Sequence, residues 1–358
     1  MLSLKNKTQC EFDIVSLGEV MLRFDPGETR VRSAQSFQVW EGGGEYNVAR
    51  GCASCFELNA SVITGIVSNE LGFLLQSLIR QGGVDTSNIK WFDFDGIGRS
   101  VRNALNFTER GFGIRGAVGV SDRGHSASAQ ISHLDIDLDD LFGRRGVRWF
   151  HTGGIYSSLS DSAFELTKMA IIKAKEHGAI VSYDLNYRAS LWVDNGGIEG
   201  FYKATQELLP MVDVLIGFPT MVGLNNPTQS KPFLSLDEVE EEILNVKKAF
   251  PNLELIASTV RKVTSATENR WSATCYQAGE FVRPKTIERL QILDRVGGGD
   301  GFVSGLIYGL LEKQSVQAGV DYGLIHGALV MSTPGDNSAV SIADIDALIT
   351  NGAGTTYR

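Results

Sequence analysis

Three consecutive glycines followed by an aspartate occur near the C-terminal end of the chain, in the stretch DRVGGGDGFVSGLIYGLL. Gly297, Gly298 and Gly299 precede Asp300 and an apolar run that is typical of a buried helix. Backbone N–H groups at a helix N-terminus have no partner within the helix, and glycines let an anion approach them. A neighbouring carboxylate suits a general base that takes a proton from an attacking hydroxyl. The motif therefore favours phosphoryl transfer, although Asp300 alone is also explained as a helix cap.

A second glycine-rich stretch, EGGGEYNVA, lies near the N-terminal end, where a strand pattern gives way to glycines and then to a helix pattern. Together with DRVGGGDGF and the strand GEVMLRFDPGE, it resembles the pfkB, or ribokinase-like, family of carbohydrate kinases. The resemblance runs from about Phe12 to Ile342, which is nearly the whole chain. Within that family, SYDLNYRASLW and the Arg-Val pair of DRVGGGD are most similar to 2-keto-3-deoxygluconate kinases.

The resemblance implies a role for each matching residue. Asp300 would be the catalytic base, and the amides of Gly297, Gly298 and Gly299 would form the anion hole. It also implies three sets of ligand contacts. Gly43 and Asn47 would contact sugar hydroxyls, and Asn186, Thr259 and Gly299 would lie near the nucleotide phosphates. Gly335 and Asn337, within HGALVMSTPGDNSAV, would contact the adenine.

The resemblance also implies ATP and Mg²⁺ as cofactors, and it leaves a dependence on K⁺ open. Many family members carry an Asn-x-x-Glu pattern after the strand that reads VDVLIGF here, whereas this chain has Gly217, Phe218, Pro219 and Thr220. The protein ligands of the metal are therefore not identified by the sequence. Because Mg²⁺ gives up its water ligands reluctantly, we expect it to arrive with ATP and to be held mainly by phosphates and water.

Three arginines are candidates for binding the acid end of a substrate, and each is alternatively an ordinary surface cation. Arg115 and Arg123 flank a predicted lid strand, and Arg188 follows a predicted core strand at the edge where α/β sheets bind ligands. Because arginine suits bidentate recognition of a carboxylate, we expect a sugar acid such as 2-keto-3-deoxygluconate as the acceptor. Ser121 stands where the most similar family members often have an aromatic residue, which leaves the exact sugar open.

Two other functions stay open at this point. A kinase for a neutral sugar of the fructose or ribose type, or for a nucleoside, would use the same mechanism with another acceptor. The missing Asn-x-x-Glu pattern also allows a sugar-binding protein of kinase fold without turnover, although the intact GGGD sequence argues against it.

The hydrophobic pattern predicts the elements that position these residues. Strand-like runs alternate with helical runs, which predicts an α/β fold with a mostly parallel sheet covered by helices. The resemblance implies a three-layer sandwich formed as one domain, residues 1–358, with a small β lid from about 20–40 and 95–130. In the family such lids close over the sugar and often pair with a second subunit's lid, so a homodimer is expected.

The sequence GFGIRG, residues 111–116, is followed by a strand pattern, so we interpret it as a hairpin turn rather than a dinucleotide loop.

The composition argues against several classes of protein. The chain has 358 residues and a formal net charge of −9, which disfavours nucleic acids and membrane surfaces as partners. No stretch approaches the roughly 20 apolar residues that span a bilayer, and MLSLKNKTQC lacks an apolar signal core, so a cytoplasmic enzyme is expected. Cys52 and Cys55 lie inside a predicted helix, and no second Cys or His pair completes a zinc site, so we interpret them as buried thiols.

Overall fold

The computed structural model describes residues 2–217 and 235–352. Within these residues the chain forms fourteen strands, which alternate with helices as the hydrophobic pattern predicts. The strands are β1 (Phe12–Leu17), β2 (Met21–Asp25), β3 (Gln38–Gly42), β4 (Ala60–Val67), β5 (Ile89–Phe92), β6 (Leu105–Glu109), β7 (Val118–Asp122), β8 (Val147–Gly153), β9 (Ile180–Asp184), β10 (Val214–Ile216), β11 (Leu255–Ser265), β12 (Glu268–Gln277), β13 (Glu280–Val282) and β14 (Ile287–Gln291).

Ten of these strands form the central sheet, in the order β13-β12-β11-β10-β9-β8-β1-β4-β5, with β14 paired to β12. The neighbouring pairs from β11 to β5 are all parallel. The pairs of β12 with β11, β13 and β14 are antiparallel. The carboxyl ends of seven strands therefore lie along one edge of the sheet.

Helices cover both faces of this sheet, which confirms the expected sandwich of helices around a mostly parallel sheet. Several helices begin at a polar cap; the Asn69 side chain, for example, accepts from the Gly72 N–H at 3.0 Å. In the described part of the chain the helices are α1 (Gly44–Ser54), α2 (Glu70–Gln81), α3 (Gly154–Ser157), α4 (Asp161–Glu176), α5 (Ala189–Trp192), α6 (Gly197–Leu208), α7 (Leu236–Ala249), α8 (Gly298–Glu312), α9 (Val316–Val330) and α10 (Ile342–Asn351).

The buried strands supply side chains to two hydrophobic cores, one on each face of the sheet. Along β10, Val214 and Ile216 pack into one core, whereas Leu215 packs into the other. Successive side chains of a strand point to opposite faces, so a strand covered on both sides is apolar throughout. The core on the first face also contains the CxxC thiols, and burial raises the pKa of Cys55 to about 12, as expected for structural cysteines.

A separate four-stranded sheet, in the order β3-β2-β6-β7, stands apart from the central sheet. Its strands fall within the predicted lid segments, except that β3 extends to Gly42, which pairs with Met21. β6 and β7 form the predicted hairpin, and the stretch 111–116 is its turn, with a bridge between Phe112 and Arg115. The dinucleotide interpretation is therefore excluded, because no helix follows this turn.

Helices α8 and α9 approach each other unusually closely through glycines. Gly301, Gly305 and Gly309 recur every four residues on α8, so they lie on one face of the helix. An added Cβ at Gly305 would lie 2.6 Å from backbone atoms of Gly323 in α9. The glycines after the GGGD motif thus serve helix packing.

No helix among the described residues is long and apolar enough to cross a membrane.

We predict that Gly305→Ala destabilises the protein by about 1–3 kcal/mol, because the new methyl group overpacks the contact between α8 and α9. Urea unfolding of both proteins measures the difference. Gly124→Ala is the matched control, since a Cβ there meets no atom within 4 Å. Equal free energies of unfolding for the two variants would contradict this account of the glycines.

Candidate active site

A cleft of about 760 Å³ lies between the carboxyl ends of the parallel strands and the small sheet. Asn186 follows β9 and Thr259 lies in β11, on the side of the central sheet. Asn106 and Thr108 of β6 line the cleft from the small sheet. Parallel α/β sheets bind ligands at this edge, so the topology brings the candidate residues to one place.

The glycine turn begins α8 and lines the cleft. Gly297 has a φ of +80°, and a Cβ there would overlap the carbonyl oxygen of Asp336, so only glycine fits. A Cβ at Gly299 would meet no atom within 4 Å. Gly301 donates its N–H to the Gly297 carbonyl at 2.8 Å, which leaves the preceding N–H groups without a helical partner. Amides in this position, at the positive end of the helix dipole, are suited to binding an anion.

Asp300 lies in the first turn of α8 and lines the same cleft. Asn47 of α1 donates from Nδ2 to Asp300 Oδ2 at 2.7 Å, so the two glycine-rich motifs meet at this contact. Burial raises the pKa of Asp300 to about 8, and the hydrogen bond from Asn47 opposes the rise. The negative charges of Asp184, Asp336 and Glu45 add to it. A carboxyl group that exchanges a proton near neutral pH suits general-base chemistry.

Two further carboxyl groups near Asp300 have raised pKa values. Burial raises the pKa of Asp184 to about 6, and the charge of Arg188 and the N–H of Asn186 oppose the rise. Burial raises the pKa of Glu45 to about 7, and its Oε2 atom has no hydrogen-bond partner among the described residues. Ionisation of any one of these acids therefore disfavours ionisation of the others.

A buried arginine joins the glycine turn to the small sheet. Arg23 of β2 donates to Asp294 Oδ2 and to Asp336 Oδ1, and the three residues are at most 6% exposed. Asp294 Oδ1 also accepts from the N–H of Val296, at 3.2 Å. Asp336 Oδ2 also accepts from Asn47, at 3.5 Å. This network sets the position of the turn that precedes α8.

Two of the three predicted arginines lie in the cleft, and they differ in their partners. Arg123 donates from Nε to Glu19 Oε2 at 2.8 Å, and Ser126 donates to Glu19 Oε1 at 2.5 Å. The buried Glu19 carboxylate therefore balances the charge of Arg123. Arg188 donates to the carbonyl of its neighbour Tyr187 at 3.2 Å, and it has no carboxylate partner within the described ranges. Its guanidinium is free to bind an anion.

The structure brings most of the predicted site residues together. Four of them, however, do not line the cleft: Gly298, Arg115, Gly335 and Asn337. Those that do are Gly43, Asn47, Arg123, Asn186, Arg188, Thr259, Gly297, Gly299 and Asp300.

Gly298 and Arg115 are positioned away from the cleft for different reasons. A Cβ at Gly298 would lie 2.8 Å from the side chain of Met331, so this glycine permits packing beneath the turn rather than access to it. Arg115 lies in the turn of the lid hairpin, where its backbone exchanges two hydrogen bonds of 2.9 Å with Phe112. The structure therefore does not group Arg115 with Arg123 and Arg188.

Gly335 and Asn337 flank the buried Asp336 and contribute to the structure of the C-terminal segment. Gly335 has a φ of +93°, and a Cβ there would lie 3.3 Å from the indole of Trp40. The carbonyl of Asn337 accepts from Thr333 Oγ1 at 3.2 Å. Their positions indicate that they hold Asp336 in place.

Sequence reasoning missed several charged residues in or behind the cleft, among them Asp184, Glu45 and Glu19. Arg23, Asp294 and Asp336 form the buried network, and only Asp294 belongs to one of the glycine-rich motifs. Arg261 and Arg295 line the cleft, and isolated arginines carry no pattern that distinguishes them from surface cations.

Some of the positions that could supply protein ligands for Mg²⁺ lie outside the described residues. Phe218, Pro219 and Thr220, which replace the acidic pattern of the family, lie outside the described residues. Within residues 2–217 and 235–352, no group of three or more His, Cys, Asp or Glu side chains is arranged to hold a metal ion. The described carboxylates that line the cleft are Asp184, Asp300 and Asp336.

Comparison with known proteins identifies relatives that match almost the whole chain. A family model described as pfkB family carbohydrate kinase matches residues 11–343. The chain is 25% identical over 343 residues to a 2-dehydro-3-deoxygalactonokinase from Haloferax volcanii, which covers 95% of this chain and 97% of the relative. It is 23% identical over 331 residues to a 5-dehydro-2-deoxygluconokinase from Clostridium perfringens, covering 90% and 88% of the two chains.

The structure is similar to the crystal structure of a 2-dehydro-3-deoxygluconokinase from Thermotoga maritima, with a TM-score of 0.85. The two chains are 31% identical, and the match covers 94% of this chain and 99% of the other. The similarity therefore extends over both the central sheet and the small sheet.

We predict that Asp300→Asn stabilises the protein, by an amount that grows between pH 4 and pH 8. The ordinary pKa of an aspartate is 3.8 and the folded value for Asp300 is about 8, so between these values the folded state keeps a proton that the unfolded state has lost. Wild-type stability therefore falls as pH rises, by up to about 1.4 kcal/mol per pH unit, and asparagine removes this loss. Urea unfolding across that range measures it.

The control for this measurement is Asp194→Asn, since Asp194 is exposed and lies outside the cleft. The difference between Asp194→Asn and wild type should stay constant with pH. A constant difference for Asp300→Asn as well would contradict the raised pKa of Asp300.

Proposed function

Because the chain belongs to the pfkB family of carbohydrate kinases, we propose that it transfers the γ-phosphate of ATP to a hydroxyl group of a sugar acid, most specifically 2-keto-3-deoxygluconate. One observation carries this proposal. Asp300 lies in the first turn of α8, in a cleft that also presents the guanidinium of Arg188, which has no ion-pair partner among the described residues. A base, an anion site and a cation for the acceptor are thus present in one cavity.

In the proposed mechanism, Asp300 accepts the proton of the attacking hydroxyl while that oxygen bonds to the γ-phosphorus and the bond to the β-phosphate oxygen breaks. Asn47 holds the Asp300 carboxylate by its 2.7 Å hydrogen bond and so orients the base toward the cleft. The N–H groups of Gly297 and Gly299, which line the cleft, stabilise the charge on the transferring phosphoryl group, as amides at a helix N-terminus are suited to do.

ATP and Mg²⁺ are the proposed cofactors. When bound with ATP, Mg²⁺ would neutralise phosphate charge, and Asp184 and Asp300, which line the cleft, would be candidates to accept hydrogen bonds from its water ligands. A dependence on K⁺ stays open. A reaction that consumes ATP also fits the cytoplasm as the place of action.

An apolar pocket of about 690 Å³ on the outer face of α9 suits the adenine ring. Leu324 and Ala328 of α9 line it, and Leu290 of β14 lies opposite. Trp271 lines the active-site cleft and donates to the carbonyl of Leu324 at 3.1 Å, so this hydrogen bond links the walls of the two cavities. The residues Ala328, Leu329 and Ser332 belong to the C-terminal segment that the family resemblance assigns to the adenine.

The positive charges in the cleft indicate which kind of acceptor it binds. Arg188 has no carboxylate partner among the described residues, so a substrate carboxylate gives it one. The two relatives are named for 2-dehydro-3-deoxygalactono- and 5-dehydro-2-deoxyglucono- acceptors, which are keto sugar acids. A neutral sugar is the second candidate, because Glu19 already balances the charge of Arg123.

A homodimer through the small sheet is also proposed. β7 is an edge strand with every residue exposed, and edge strands readily pair with another strand. Asn106 and Thr108 face the cleft, so Phe107 between them faces away, stacked on Phe24 at 5.0 Å and paired in register with Val120. This outer apolar face suits contact with a second copy of the chain.

We predict that Asp300→Asn lowers kcat by roughly 10²–10⁴, the range for loss of a general base, and leaves the Kd for ADP unchanged. A coupled assay of ADP release measures kcat, and calorimetry measures Kd. The control is Asp194→Asn, which should retain full turnover. Turnover of Asp300→Asn within a few-fold of wild type would remove Asp300 from the chemical step.

We predict that Arg188→Ala lowers kcat/KM for 2-keto-3-deoxygluconate by roughly ten- to a hundredfold, the effect of losing one charge-assisted hydrogen bond. The values for fructose and ribose should change much less. Arg123→Ala should have a smaller effect, because Glu19 balances the charge of Arg123. Arg115→Ala should also have a smaller effect, because Arg115 does not line the cleft.

Arg144→Ala, an exposed arginine paired with Asp140, controls for the loss of a positive charge. If the wild type prefers fructose or ribose, or if Arg188→Ala lowers kcat/KM equally for all three substrates, the sugar-acid proposal fails and a kinase for a neutral sugar remains.

A further inference from the structure

We propose that Arg261 and Arg295 form a second anion-binding site that holds the polyphosphate chain of the nucleotide. The proposal rests on the proposed kinase function and adds two binding residues to it. We call these two residues the arginine pair. Both line the active-site cleft, and neither belongs to the glycine-rich motifs.

The arginine pair comes from two elements that border the glycine turn. Arg261 is two residues beyond Thr259 on β11, so the two side chains share a face of the strand. Arg295 lies two residues before Gly297, in the segment that enters α8. Both arginines line the same cleft as Gly297 and Gly299, and the charge of Arg295 acts on Arg261, so the two guanidinium groups are near each other and near the turn.

Neither member of the arginine pair has a hydrogen-bond or ion-pair partner in the described part of the chain. The other arginines around the site are paired: Arg23 with two aspartates and Arg123 with Glu19. Within the cleft lining, Arg188 alone shares the lack of a carboxylate partner, and it lies beyond β9. An uncompensated pair of cations in a ligand cleft indicates a missing anionic ligand.

The two positive charges also destabilise each other. Arg261 is half-buried, and burial together with the charge of Arg295 lowers its pKa. A polyphosphate bound to the two guanidinium groups offsets this repulsion, and its oxygens give Arg261 hydrogen-bond acceptors in place of the water that burial removes. The free protein is thus less stable at this place than the liganded protein, which favours binding.

The position of the pair assigns it to the nucleotide rather than to the acceptor. Arg261 is opposite Trp271 in the register of β11 and β12, and Trp271 donates to Leu324 in the wall of the proposed adenine pocket. Glu19, which holds Arg123, follows β1, four strands away from β11. Four strand spacings amount to roughly 19 Å, so Arg123 and Arg261 lie toward opposite sides of the cleft.

This arrangement accounts for the absence of acidic residues at 217–220. Where an acidic side chain supports a metal, the metal carries the charge that neutralises the phosphates. Here the chain has glycine, phenylalanine, proline and threonine at these positions, and the arginine pair supplies positive charge directly. Arginine suits this task because its planar fork binds two phosphate oxygens at once.

The test is calorimetry of ADP and AMP binding to the full chain without sugar or turnover, for wild type, Arg261→Ala and Arg295→Ala. Each variant should bind ADP roughly ten- to a hundredfold more weakly, the effect of one lost charge-assisted contact, and AMP with a smaller loss. Arg261→Lys should recover part of the affinity, and KM for the sugar acid should stay within twofold.

Arg270→Ala is the matched control, because Arg270 lies one residue from Trp271 on β12 but is exposed and paired with Glu288 at 2.9 Å. Thermal unfolding of every variant checks that a loss of affinity is not a loss of folded protein. ADP affinities within twofold of the Arg270→Ala value overturn the proposal. So does a rise in KM for the sugar acid with unchanged ADP affinity, which assigns the pair to the acceptor.

These measurements also separate this inference from the proposed function. If the wild type binds ADP but phosphorylates no sugar acid, the sugar-acid kinase proposal fails while the ADP affinities of the variants still decide the role of the pair. If the wild type binds neither ADP nor ATP, the arginine pair is not a nucleotide site and the inference is wrong.

Discussion

The arrangement of the cleft depends on Arg23, which is buried and shared by two carboxylates from distant parts of the chain. Arg23 joins the small sheet to Asp294, which precedes the glycine turn, and to Asp336, which follows α9. The Asp336 carbonyl leaves no room for a Cβ at Gly297, and its carboxylate also accepts from Asn47. Loss of one partner of such a buried pair costs on the order of 3–5 kcal/mol, because it leaves an uncompensated charge. The small sheet, the glycine turn and α1 therefore hold one relative position only while this network is complete.

The elements of the fold are largely predictable from the sequence, because their signals are local. Val214, Leu215 and Ile216 form a continuous apolar run, and the structure buries this strand on both faces. The predicted lid segments contain the four strands of the small sheet, and the end of β3 is misplaced only because Gly42 extends the pairing with Met21. Packing between helices is less visible. The close approach of α8 and α9 depends on glycines from two helices at once, and neither helix reveals it alone.

The site is predictable only where a motif carries its chemistry in consecutive residues. Asn47 and Asp300 belong to two such motifs, and they meet at 2.7 Å. Arg23 is 271 and 313 residues from its two partners, so no local pattern indicates the pairing. Gly298 looks like its neighbours in the sequence, yet it faces Met331 instead of the cleft. The three adjacent glycines meet different constraints: Gly297 adopts a left-handed turn, Gly298 makes room for Met331, and Gly299 leaves open space.

The charges of the cleft follow an order that suits the joining of two anionic substrates. Asp184 and Asp300 lie at its centre, where burial and mutual repulsion raise their pKa values. Cations also line the cleft: Arg188 follows β9, where its charge acts on Asp184, and Arg261 lies in β11. In the proposed reaction these cations attract the two anionic substrates, whereas the acidic centre repels both until a further cation reduces its charge. A cation that arrives with the nucleotide and lowers the pKa of Asp300 leaves its carboxylate ionised, which is the form that the proposed base needs to accept the hydroxyl proton.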